Sequence, residues 1–201
     1  MSAATVARLK ITLDDISPAI LRRVEVPFDI RLDRLHLTVQ AAMGWTDSHL
    51  YEIRADDVGF STPDPDADWV GDFLDARKAR LDDILEDICT KKLVYLYDFG
   101  DGWEHTITIE RITDPEPGVL YPRLIEVRGR CPPEDCGGPF GYAELLEAIT
   151  DPKHERLAEL TEWIGDDFDH EADDAEALIA EVATLAKSWS RKSTRKRSKT
   201  A

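Results

Sequence analysis

The sequence predicts an α+β fold: a mainly antiparallel sheet with helices packed on one side and a C-terminal third that is helical. Three observations carry this. Alternating apolar and polar residues mark strands through the first part of the chain. One helical pattern falls between the second and third strands. Helical spacing takes over only near the end, and strands first with helices later argue α+β.

The elements follow in order. Leu9, Ile11 and Leu13 alternate with Arg8, Lys10 and Thr12, the period of a half-buried strand. Asp14 to Pro18 is a turn. Ala19 to Val26 reads as a second strand ended by Pro27. Leu32, Leu35, Val39 and Ala42 recur at helical spacing, and Gly44 stops that helix. His49 to Arg54 is a third strand, extended or paired by Val58 to Ser61. Thr62 to Ala76 has two prolines and five aspartates and reads as an exposed acidic loop. Leu81, Ile84, Leu85 and Ile88 make a short amphipathic helix. Lys92 to Phe99 and Trp103 to Ile112 are the clearest strands, and Leu124 to Val127 is another. Tyr142, Leu145, Leu146 and Ile149 share a helix face. Asp151 then reads as an N-cap with Pro152 at the first helical position, opening a helix that runs through Leu157, Leu160 and Trp163 to Gly165. Ala175 to Leu185 is the last amphipathic helix.

Composition bounds the function. A chain of 201 residues suffices for one domain, expected over 1–186. No apolar run spans a bilayer, and the first residues lack a signal core, so no membrane role is expected. Three cysteines (Cys89, Cys131, Cys136) are too few for a disulfide framework and fit a reducing cytoplasm. The 41 Asp and Glu outnumber the 25 Lys and Arg. Seven of those basic residues lie in 187–201, which reads as a disordered basic tail. Nucleic acid is therefore a possible partner only through that tail, because the acidic body repels it.

Two clusters carry the chemistry. The first is Tyr97-Asp98-Phe99-Gly100-Asp101-Gly102-Trp103-Glu104-His105. A three-residue Gly100-Asp101-Gly102 loop would set Phe99 opposite Trp103 and Tyr97 opposite His105. Tyr95, Tyr97, Trp103, His105 and Ile107 then share one face. Asp98 and Glu104 would oppose each other on the other face, an arrangement suited to a cation. His105 reads equally as a cleft residue or as a hydrogen-bonded histidine at the core's edge.

The second cluster is Cys131-Pro132-Pro133-Glu134-Asp135-Cys136-Gly137-Gly138-Pro139-Phe140-Gly141-Tyr142. The four residues between Cys131 and Cys136 are a permitted metal spacing. Glu134, Asp135, His49 and His105 are further donors. The alternative is that both thiols are small buried groups. The two clusters are expected side by side, with Trp45 and His49 near the same cleft. Ser48 and His49 are neighbours in sequence and cannot form a nucleophile pair on one strand face.

The Ala41-to-Trp45 helix end, Ser48-His49-Leu50-Tyr51 and the two clusters together resemble the plasmid Ri open-reading-frame-three-like family. Its members are also found as insertion-element passenger proteins labelled TnpR. The resemblance runs from about Val6 to Asp174. It implies a compact α+β domain of plasmids and mobile elements and no particular reaction.

Three function classes follow, the last of them a purely structural interaction protein. The first is a binding or accessory module for a small ligand or protein partner. Its cleft would be lined by Trp45, His49, Tyr97, Asp98, Asp101, Trp103, Glu104, His105, Glu134, Asp135 and Tyr142. The second is a hydrolase, phosphodiesters being one substrate class, dependent on a divalent metal. Asp98, Asp101, Glu104 and His105 would hold the ion, and Glu134 or Asp135 would activate water. His105, Cys131 and Cys136 are alternative metal ligands.

Overall fold

A computed structural model describes residues 5–63, 73–88, 91–165 and 168–197. Eight strands form one sheet: β1 (Val6–Leu13), β2 (Ile20–Pro27), β3 (Tyr51–Ala55), β4 (Val58–Ser61), β5 (Leu74–Asp75), β6 (Lys92–Tyr97), β7 (Trp103–Thr113) and β8 (Arg123–Arg128). Their order is β5-β4-β3-β6-β7-β1-β2-β8. Every pairing is antiparallel except the short β4–β5 pair. Five helices complete the described fold: α1 (Leu32–Met43), α2 (Leu81–Ile88), α3 (Gly138–Thr150), α4 (Leu157–Ile164) and α5 (Ala175–Arg197).

Sequence periodicity explains the layers. Leu9, Ile11 and Leu13 of β1 are buried together with Tyr95, Tyr97, Trp103, His105 and Ile107 of the central hairpin. Leu32, Leu35, Val39 and Ala42 of α1 join the same core. The helix stops where Gly44 takes φ 84, a left-handed turn that a residue without Cβ adopts freely. α1 lies against β2 and β3, and α5 lies against α1 and β8. Elsewhere the sheet carries a polar lattice. Glu25, nearly sealed from water, accepts from Arg8 at 2.7 Å and from Arg123 at 2.6 Å.

Several local expectations are corrected. The hairpin register is shifted by two residues: Tyr97 faces Trp103 and Tyr95 faces His105. Within β6 and β7 a shift of two keeps side chains on their expected faces, while Phe99 falls beyond the strand and is exposed rather than facing Trp103. The shift also moves Asp98 off the strand, so Asp98 and Glu104 are not opposed; Leu96 faces Glu104 instead. His49 precedes β3 rather than beginning it. Asp151 closes α3, its N–H reaching the Glu147 carbonyl at 2.9 Å, and α4 starts at Leu157. An aspartate followed by proline reads as a helix start, but here the preceding helix uses that aspartate as its end.

The last helix also exceeds its expected end. α5 passes Ala186 without a break, so the basic segment begins inside a helix rather than as a disordered tail. Val182, Ala186 and Trp189 continue one apolar stripe. Trp189 packs against the core, with the Arg34 guanidinium 4.9 Å from its ring centre. The tail residues 198–201, the acidic stretch 64–72 and Cys89 lie outside the described residues. Among the described residues no helix is long and apolar enough to cross a membrane.

Candidate functional site

The hairpin tip and the cysteine turn lie against each other. The Gly137 N–H donates to Asp101 Oδ2 at 3.1 Å. A Cβ on Gly138 would overlap the Asp101 carbonyl oxygen, so two backbones meet there without room for a side chain. The loop before β3 closes the third side. The Trp45 indole N–H donates to the Pro132 carbonyl at 2.9 Å. Glu134 accepts from the Thr46 N–H at 3.1 Å and the Thr46 hydroxyl at 2.5 Å. The Tyr97 hydroxyl donates to Glu134 and accepts from the Ser48 N–H at 3.0 Å. Burial, aided by the Glu134 carboxylate, pushes the Tyr97 phenol well above its ordinary value.

This clamp brings three donors together. His49 Nε2 lies 3.0 Å from Asp135 Oδ1 and 3.6 Å from Asp98 Oδ2. One ligand atom from each of His49, Asp98 and Asp135 lies within 4.8 Å of the others. His49 Nε2 is buried without the alignment that a hydrogen bond requires. Asp98 is 8% exposed. Its Oδ1 accepts from the Gly100 N–H at 2.9 Å and its own N–H donates to the Leu50 carbonyl at 2.9 Å. That second bond extends the β3–β6 ladder by one residue and sets Asp98 beside His49. Asp98 and Asp135 take φ of 57 and 61, left-handed backbone that aspartate tolerates better than most residues. A set of one imidazole and two carboxylates suits a divalent cation such as zinc or manganese.

Other expected site residues stand apart. Trp45, Trp103, His105 and Tyr142 are at most 5% exposed and form the floor beneath the site, not a cleft wall. His105 Nδ1 faces the carbonyls of Tyr95 and Trp103 at 3.2 and 3.1 Å, so that nitrogen carries the proton. Burial pulls the His105 pKa down to about 4. Glu104 pairs with Arg54 at 3.1 Å, away from the three donors. Cys131, Cys136 and His105 do not converge as a ligand set among the described residues. Burial pushes both thiols up to about 12, which opposes the thiolate a metal needs.

His36 is the residue that the periodic reading passed over. It sits one turn after Leu32 on the buried face of α1, a position that itself signals an inward imidazole. Its ring stacks on Tyr51 at 3.6 Å and 4°. Gln40 Nε2 donates to the Tyr95 hydroxyl at 2.8 Å. The hydroxyl proton then goes to His36 Nδ1 at 2.9 Å, and His36 Nε2–H goes to Asp47 at 2.6 Å. The Asp47 N–H closes the ring on Gln40 Oε1 at 3.0 Å. This ring fixes the loop from which His49 projects. Beside it, His36, Asp47, His49, Tyr51, Thr62 and Arg77 line a cavity of about 400 Å³.

The comparisons with known proteins agree with this architecture. The family described as "Plasmid pRiA4b ORF-3-like protein" matches residues 5–177. The "Uncharacterized protein y4hQ" of Sinorhizobium fredii (strain NBRC 101917 / NGR234) is 54% identical over 194 residues, covering 96% of this chain and 98% of that one. The solved structure "Crystal Structure of Protein of Unknown Function MM3350 from Methanosarcina mazei Go1" matches with a TM-score of 0.74 at 34% identity. That match covers 85% of this chain and 96% of that one. With most of its length matched in sequence and in fold, the chain belongs to the plasmid pRiA4b ORF-3-like family.

Proposed function

We propose that this protein is a binding module that holds a divalent cation at His49, Asp98 and Asp135 and presents it to a small ligand or protein partner. One observation carries the reading: three metal-ligating side chains from three separate segments converge within 4.8 Å. Three protein ligands leave coordination positions open for a partner's donor atom. The cavity of about 400 Å³ beside His49 is within the size range of small-molecule sites. The plasmid and mobile-element setting implied by the resemblance fits an accessory role and adds no chemistry.

Metal content and affinity test it. Full-length protein freed of metal is titrated with Zn(II) and Mn(II) by calorimetry. One ion per chain is expected, with the site abolished in His49→Ala and weakened at least tenfold in Asp98→Asn. Equal affinity in wild type and both variants would end the proposal.

The open coordination positions also favour a second reading, a metal-dependent hydrolase. Its expected bases are committed elsewhere: Glu134 bonds Tyr97 and Thr46, and Asp135 belongs to the cation set. A metal-bound hydroxide would then have to act without a carboxylate base. Metal-dependent release of nitrophenolate from bis(4-nitrophenyl) phosphate, lost in His49→Ala, would favour this reading over the first.

A further inference from the structure

Arg22 is wholly buried, yet it forms no ion pair with a carboxylate among the described residues. Its Nε donates to the Ala42 carbonyl at 2.8 Å, at the C-terminal end of α1. Its Nη1 donates to the carbonyls of Leu21 and Arg128, each at 2.9 Å. Its Nη2 is buried and has no partner. The negative end of α1 offsets part of the charge. A buried guanidinium with two free N–H bonds still carries a large desolvation cost. Cys131 does not serve as counter-ion, because burial keeps its thiol neutral.

The free nitrogen has a direction. In a planar guanidinium Nε–H and one Nη2–H lie along the same edge. That edge faces the end of α1, where Met43, Gly44 and Trp45 line a cavity of about 170 Å³. This volume is below the usual range for drug-sized ligands and suits a small one. Trp45, Phe168 and Leu178 give it apolar walls. Asp173 stands at its exposed side and acts on Arg22 through space. Two other acidic groups of the lining are engaged, Asp174 with Arg130 at 2.9 Å and Glu134 with Thr46. Asp173 accepts a backbone N–H from Ala175 at 3.2 Å and has no cationic partner among the described residues. Arg130, the other cation of the lining, is taken up by Asp174, so a multiply charged phosphate would meet two cations and three carboxylates around this cavity. A zwitterion would meet a cation inside and a carboxylate outside.

We propose that this cavity binds a small α-amino acid, its carboxylate on Arg22 Nη2 and its ammonium toward Asp173. The site is distinct from the His49, Asp98 and Asp135 group and does not depend on a metal there.

The test titrates the full-length protein with L-alanine and L-leucine, and with acetate, ethylamine and inorganic phosphate as comparators. Calorimetry and the thermal midpoint are read together. At least one amino acid should bind at one site per chain and raise the midpoint, with each comparator at least tenfold weaker. Arg22→Met should remove binding. Asp173→Asn, a surface change that keeps the capping group of α5, should weaken amino-acid binding about tenfold or more and leave acetate unchanged. Absence of amino-acid binding, phosphate binding as tight as leucine, or an unchanged affinity in Asp173→Asn would overturn the proposal.

Discussion

Two histidines a short distance apart in the fold live under opposite rules. His105 lies on the aromatic floor, closed from water and held at one nitrogen by two carbonyls. His49 lies on the rim above it, where its ring meets Tyr97 edge-on at 5.8 Å and its Nε2 faces two carboxylates. The floor histidine belongs to packing, and the proposed cation site rests on the rim histidine. Both come from motifs equally dense in polar groups, so density alone does not separate structure from function.

Four experiments break or sharpen that contrast, ordered by their effect on unfolding free energy. His105→Ala should cost about 3 kcal/mol in urea unfolding, through a cavity beneath Trp45 and lost carbonyl bonds. Metal stoichiometry should stay that of the wild type. A variant that folds as stably as the wild type but loses metal would exchange the roles of the two histidines.

The second is a pH series. A histidine in the unfolded chain titrates near 6.5, and burial lowers His105 to about 4 in the fold. Between these values the unfolded chain takes up a proton that the fold refuses. Stability from this group therefore falls as pH drops below about 6.5, and the loss is complete below about 4, at about 3 kcal/mol. Subtracting the same series for His105→Gln isolates the contribution. Parallel curves for the two proteins would contradict a sealed, neutral His105.

Tyr97→Phe comes third. It removes the hydroxyl that joins floor to rim through Ser48 and Glu134. A cost of about 1 kcal/mol is expected by thermal unfolding. The affinity for Mn(II) should fall about tenfold, because Asp135 follows Glu134 on the turn that the hydroxyl holds. Last, His49→Ala should change metal-free stability by no more than about 0.5 kcal/mol, since its Nε2 has no hydrogen bond to lose. A cost of several kcal/mol in urea would make His49 a structural residue.

Much of the fold could be read from periodicity. Leu9, Ile11 and Leu13 alternate because one sheet face is buried, and Leu32 to Ala42 recur because α1 has one apolar stripe. Partition of the central hairpin into an aromatic and a polar face was legible for the same reason. Its register was not. A slip of two leaves the faces within β6 and β7 unchanged, so the pattern of side chains cannot distinguish Tyr97 opposite Trp103 from Tyr97 opposite His105. Only the wider Asp98-to-Gly102 turn, closed by a 2.6 Å bond from the Gly102 N–H to the Asp98 carbonyl, makes that choice. This register also separates Asp98 from Glu104 and hands it to His49.

Closeness of the hairpin tip to the cysteine turn could be expected from their shared density of glycine and polar groups. His49 was expected near that cleft, but its meeting with Asp98 and Asp135 could not be read, because it was assigned to the start of a strand and the structure sets it in the loop before β3. His36 was masked for another reason: a histidine on an apolar stripe interrupts a hydrophobic pattern while occupying one of its positions. Trp189 reads as part of the basic tail because basic neighbours dominate the composition of 187–201, although the spacing from Val182 through Ala186 continues to it.

The contact of Gly138 with the Asp101 carbonyl has a consequence for motion. With no side chain between them, the hairpin tip and the first turn of α3 have no slack to move independently. Opening one requires breaking the Asp101–Gly137 bond that seats the other. The amide protons of Gly102 and Gly137 should therefore exchange with deuterium through one shared opening event, at the same free energy and with the same denaturant dependence.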